Sequence, residues 1–98
     1  MGLASVAIQV LPLDETDEDL IPIVDAAIAY IKSFGLHTVV GPFETTVEGD
    51  YDTLMEIVAG VNKKVIEAGA DNIITYVKIA VAKGDVLTIE EKTAKHRD

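Results

Sequence analysis

Thr46 and Glu48 stand two residues apart in the run Thr45-Thr46-Val47-Glu48-Gly49. On an extended strand that spacing puts a hydroxyl and a carboxylate on the same face. Such a pair offers one donor and several acceptors, which suits a ligand carrying an amine and ring nitrogens. Consecutive threonines also serve ordinary β-propensity and cross-strand packing, so the residue types alone leave both uses open.

Covalent chemistry finds little in the chain. The serines are Ser5 and Ser33, the histidines are His37 and His96, and there is no cysteine. None of these forms a nucleophile–base pair by spacing, so no catalytic residue is expected and the chain is read as a binder rather than an enzyme. Asp14, Glu15, Asp17, Glu18 and Asp19 form an acidic run without the glycine hinge or distal glutamate of a calcium loop. Solvation at a helix start accounts for them. Glu48, Asp50 and Asp52 alternate, and Asp50 and Asp52 are better used as a helix cap and a first-turn acid. No metal and no cofactor are expected.

The elements that must position these residues follow from periodicity. Leu3 to Leu11 alternates Val6, Ile8 and Val10 with Ser5, Ala7 and Gln9, and Pro12 ends the strand. A first helix is expected over 20–34, with Asp19 as N-cap, Pro22 in the first turn and Gly35 closing it. His37 to Val40 and Thr45 to Glu48 flank the turn Gly41-Pro42-Phe43-Glu44, which reads as a hairpin. A second helix over 51–68 starts at Asp50, carries Leu54, Ile57, Val58, Val61 and Val65 on one face, and stops at Gly69. Asn72 to Ala82 alternates as the last strand, and Thr88 with Glu91 forms a capping box for a short C-terminal helix fraying by His96.

The order β-α-β-β-α-β predicts an α+β, ferredoxin-like sandwich: a four-stranded antiparallel sheet with two helices on one face, formed by the whole chain, 1–98, as a single domain. The other face of the sheet takes Ser5, Ala7 and Gln9 from the first strand and Ile74, Tyr76, Lys78 and Ala80 from the last. Lys78 and Gln9 add donors there, Tyr76 a flat surface for stacking, and Thr38 of the neighbouring strand is expected nearby. So apolar a face is expected to serve as a subunit interface or a ligand floor.

Composition narrows the partners. At 98 residues the chain makes one small core that benefits from oligomerisation. Seventeen acids against eight bases give a net charge of −9, which repels phosphate backbones and anionic bilayers. Neither nucleic-acid binding nor membrane insertion is expected. Residues 1–31 contain no Lys or Arg, so no signal peptide is expected, and the absence of cysteine fits a reducing, cytoplasmic compartment.

Gly41-Pro42-Phe43-Glu44-Thr45-Thr46-Val47-Glu48-Gly49, after a strand ending Val10-Leu11-Pro12 and before Thr88-Ile89-Glu90-Glu91-Lys92, resembles the small thiamine-binding protein family of bacteria and archaea. These are stand-alone relatives of the domains of YkoF-type proteins. The resemblance covers nearly the whole chain. It implies a ferredoxin-like protomer whose sheets pack face to face in homodimers, commonly assembled into homotetramers, with a pocket at the subunit interface. It implies thiamine or its hydroxymethylpyrimidine moiety as ligand and no catalysed reaction. Thr45, Thr46 and Glu48 carry over as candidate ligand residues, while Gln9, Thr38, Tyr76 and Lys78 come from the strand-face reading. The alternative is a structural or regulatory oligomerisation module that uses the open face without a small molecule.

Overall fold

The computed structural model describes residues 1–96. The chain runs β1 (Leu3–Pro12), α1 (Asp17–Lys32), β2 (His37–Val40), β3 (Thr45–Asp50), α2 (Tyr51–Glu67), β4 (Ile73–Ala80) and α3 (Ile89–Thr93), followed by a 3₁₀ turn at Ala94–His96. The four strands form one antiparallel sheet in the order β2-β3-β1-β4, and both long helices lie on one side of it. This is the ferredoxin-like sandwich expected from the element order.

Ala4, Val6 and Ile8 of β1 point at the helices, and Val47 of β3 sits among them with no exposed surface. Leu54, Ile57, Val61 and Val65 recur along one face of α2 and are fully buried, while Ile23, Ala27 and Ile31 do the same for α1 at four-residue spacing. Burying a side chain of this size stabilises the fold by about 1.5 to 3 kcal/mol. The two helices approach closely at Gly60, where a Cβ would collide with the Tyr30 ring. Tyr30 in turn meets Phe34 edge to face, with centroids 5.3 Å apart.

Several boundaries differ from expectation. Thr16, not Asp19, caps α1: its hydroxyl accepts from the Asp19 backbone N–H at 3.2 Å, and its own O–H donates to the Asp19 carboxylate at 3.0 Å. The helix therefore begins one turn earlier, and Pro22 lies inside it rather than in its first turn. One intrahelical donor is lost there, at a position five residues after the helix start. Gly35 and Gly69 both adopt positive φ after their helices, at 70° and 119°, conformations that favour glycine. The last strand is shorter than Asn72 to Ala82.

The largest departure concerns the sheet face opposite the helices. It was expected to be bare, but the chain after β4 returns across one end of it. Gly84 to Val86 run beside the start of β1, held by Val86 N–H to Leu3 O at 2.9 Å and by Leu3 N–H to the Asp85 carboxylate at 2.6 Å. Then α3 packs down, burying Ile89 and leaving Ser5 only 4% exposed although Ser5 faces away from the core. The predicted capping box holds α3 at its start, with Thr88 and Glu91 bonded reciprocally.

Candidate functional site

The strand register decides which side chains can meet. Thr46 pairs with Ala7, and Ala7 with Lys78, so these three form one row across the open face. Gln9 pairs with Tyr76 in the next row, and Glu48, Ser5 and Ala80 form the row before. Strand alternation thus brings Gln9, Thr46, Tyr76 and Lys78 to one surface, as the sequence pattern predicts.

Thr45 and Thr38 lie on the other side. Thr45 pairs with Ile8 and Thr38 with Val47, both core residues, so parity turns the two threonines toward the helices. Thr38 donates its hydroxyl to Leu36 O at 3.0 Å and takes no part in the open face, contrary to expectation. Thr45 is 6% exposed, and no described residue hydrogen-bonds its hydroxyl.

Glu48 does face the open side, but α3 has taken its carboxylate. Glu48 Oε2 accepts from the Ile89 backbone N–H at 2.9 Å and so anchors the start of α3 to the sheet. A carboxylate suits the unpaired amides at a helix start. Glu48 is therefore engaged at the covered end of the face, away from the groove that Gln9 and Tyr76 share.

That groove, of about 390 Å³, is lined by Gln9, Phe43, Glu44, Tyr76 and Lys78. The sequence pattern predicts only turn chemistry for Phe43 and Glu44. The register exposes their importance: Thr45 pairs with Ile8, so the residues before it must come alongside Gln9. Glu44 reaches over the face to Lys78, with Oε1 and Nζ 3.1 Å apart. Beyond that ion pair a second hollow runs toward α3, lined by Ala7, Thr46, Ala80 and Lys92 among others. Phe43 is 79% exposed and Tyr76 58%, a large aromatic area for a surface that also carries Leu11, Val39 and Ile74.

On the helix side, a further cavity of about 110 Å³ lies between β1, α1 and the Gly41–Glu44 turn. Its walls are Ile8, Val10, Ile23, Ala27, Ile31 and Val65, and Thr45, Glu44 and Phe43 stand at its edge. The turn residues Phe43 and Glu44 thus border both this cavity and the open-face groove.

The site's chemistry is that of recognition: two aromatic rings, one amide, one acid and one ammonium. Among the described residues no group of three His, Asp or Glu side chains is placed to hold a metal ion. Among the described residues no helix is long and apolar enough to cross a membrane. Asp50, at the start of α2, has its carboxylate pKa lowered. The causes are the Thr53 hydroxyl at 2.7 Å and next the Thr53 backbone N–H at 3.0 Å.

Residues 6–97 match the family described as thiamine-binding protein. A UPF0045 protein of Clostridium perfringens (strain 13 / Type A) is 45% identical over 97 residues, covering 99% of this chain and all of that protein. A domain of unknown function (DUF77) from Bacillus cereus superposes with a TM-score of 0.89 at 34% identity, over 99% of this chain and 92% of the other. A candidate thiamine biosynthesis/salvage protein from Thermotoga maritima superposes with a TM-score of 0.87 at 36% identity, over 97% of this chain and 99% of the other. With its match running almost from end to end, the chain belongs to the thiamine-binding protein family.

Proposed function

We propose that this protein is a non-catalytic, cytoplasmic binder of thiamine or its hydroxymethylpyrimidine moiety, holding the ligand on the open sheet face where a second subunit closes over it. The observation that carries the reading is the groove in which Gln9, Phe43, Glu44, Tyr76 and Lys78 converge. An aminopyrimidine presents an exocyclic amine and ring-nitrogen acceptors. The Gln9 amide and the Thr46 hydroxyl can match them in both senses, and Tyr76 or Phe43 supplies a stacking surface that contributes about 0.5 to 1.5 kcal/mol. The thiazolium cation of thiamine favours the neighbourhood of Glu44 and a chain of net charge −9.

The family match and the thiamine-related description of the Thermotoga relative support the ligand class. The exposed row Leu11, Val39, Phe43, Ile74 and Tyr76 supports closure by a second copy in a homodimer, and through it a homotetramer. The same row favours a second reading, an oligomerisation module without a ligand. Titration calorimetry on the assembled protein separates the two. Thiamine or the free pyrimidine should release heat that Tyr76→Ala and Thr46→Val reduce; an assembled protein that binds neither compound supports the module and rejects the binder.

A further inference from the structure

Where α3 lies over the sheet, the open face keeps a polar floor. Ser5 of β1 faces away from the core and is more than nine-tenths buried there, yet its hydroxyl has no hydrogen-bond partner among the described residues. Among those residues no side-chain oxygen is both fully sealed and unpartnered. The Ser5 hydroxyl therefore keeps its small open surface, and the space it borders is the hollow of about 270 Å³ between the sheet and α3. A serine so placed is a poor choice for packing, since burying a hydroxyl without a partner is unfavourable and strands prefer β-branched residues.

Donors from four elements meet at this hollow: Ser5 from β1, Thr46 from β3, Lys78 from β4 and Lys92 from α3. Among the described residues Thr46 and Lys92, like Ser5, have no side-chain partner, whereas Lys78 is held by Glu44 at 3.1 Å. Ala7 and Ala80 keep the floor between them low. An ammonium has only donors to offer, and hydroxyls donate strongly to a charged acceptor, so the set calls for an anion. Two carboxylates stand at this end of the face. Glu44 is matched by Lys78, and Glu48 is turned to the Ile89 amide at 2.9 Å, which leaves the Lys92 charge uncompensated. The chain's net charge of −9 acts at long range, where salt screens it beyond about 8 Å, and inside the hollow the contacts decide.

We propose that the hollow between the sheet and α3 binds a phosphate group, with Ser5 and Thr46 donating hydrogen bonds to its oxygens and Lys92 and Lys78 balancing its charge. A tetrahedral anion presents acceptor oxygens in several directions, which suits donors arriving from separate elements better than a planar carboxylate does. Glu44 and Lys78 line both this hollow and the neighbouring groove, so the phosphate either enters free or rides on a ligand whose ring lies in the groove. The site does not rest on the thiamine reading.

The test compares the native chain, Ser5→Ala and Lys92→Gln by calorimetry at low salt with inorganic phosphate, thiamine and thiamine monophosphate, alongside thermal melts. The native chain should bind phosphate, and each variant should weaken it about tenfold, as expected for losing one donor to a charged acceptor. Ser5→Ala loses no internal hydrogen bond and should melt at or above the native temperature in phosphate-free buffer. Thiamine affinity should be equal in all three chains. Thiamine monophosphate binding more tightly than thiamine, with that margin lost in both variants, upholds the site and shows that an ester delivers the phosphate. Inorganic phosphate binding with no such margin upholds it for the free anion. Should Ser5→Ala not fold, Lys92→Gln, on an exposed helix position, decides. A native chain with neither phosphate binding nor the margin overturns the site, as do folded variants that bind phosphate as the native chain does. Thiamine binding that persists in that case leaves the thiamine reading standing, and phosphate binding without thiamine binding overturns that reading alone.

Discussion

The carboxylate of Glu44, in the β2–β3 turn, lies 3.1 Å from the ammonium of Lys78 on β4, bridging the open sheet face above Ala7 of the intervening strand. The Lys78 side chain is 77% exposed, so the pair adds little stability, about 0 to 1 kcal/mol, and its effect is on the field inside the groove.

Glu44→Gln should therefore leave the melting temperature nearly unchanged and weaken thiamine more than the neutral pyrimidine. Removing Lys78 with Lys78→Met should act in the opposite sense on thiamine. Affinities measured for both compounds at low and at physiological salt check this; equal effects on the charged and neutral ligands would show that Glu44 does not act through charge.

Glu48 should behave as a structural residue. Replacing it by alanine leaves the Ile89 amide without its charged acceptor, which costs about 1 to 2 kcal/mol. For a domain of this size that is a drop of roughly 4 to 16 °C in melting temperature. Hydrogen exchange at Ile89 to Glu91 should accelerate, and ligand affinity measured below the transition should change little.

Asp50 supplies a pH-dependent contribution. Its pKa is lowered in the folded chain, chiefly by the Thr53 hydroxyl and then by the Thr53 N–H, so its stabilising effect is present above the ordinary carboxylate range and fades as pH falls through the lowered value. Asn caps helices too but carries no charge. Thermal melts should show the native chain ahead of Asp50→Asn at neutral pH, with the gap closing below about pH 4.

Gly60→Ala tests the helix crossing. In an isolated helix the change would stabilise by about 1 kcal/mol. Here the new methyl collides with Tyr30, whose ring is braced by Phe34, so the cost of overpacking, about 1 to 3 kcal/mol, should prevail. Chemical denaturation should show a lower midpoint at unchanged slope.

Much of the molecule was legible in the residues because strands and helices imprint their periods. The alternation of Val6, Ile8 and Val10 with Ser5, Ala7 and Gln9 foretells both faces of β1, and Asp50 and the Thr88–Glu91 box mark two helix starts. Thr16 escaped notice because the acids after it compete as caps, and a cap is chosen by backbone conformation as well as residue type. Thr38 was misplaced because the parity of a four-residue strand depends on its register with β3, which composition does not carry. The docking of α3 was hidden for a related reason: it is fixed by Asp85 and Glu48, each far in sequence from the backbone group it receives. The place of Phe43 and Glu44 in the site depends on the pairing of Thr45 with Ile8, a long-range register that local sequence does not encode.

The β1–β3 ladder ends at Ile8, although β1 itself continues to Pro12. Beyond Ile8 the free side of β1 faces the four-residue loop between Val40 and Thr45. How far that loop reaches is set by its chain length. Adding or removing a single residue between Val40 and Thr45 would shift Phe43 and Glu44 along the rim of the open-face groove while leaving Val6, Val47, Leu54 and Ile57 where they are, so such a change would alter the recognition surface without disturbing the fold.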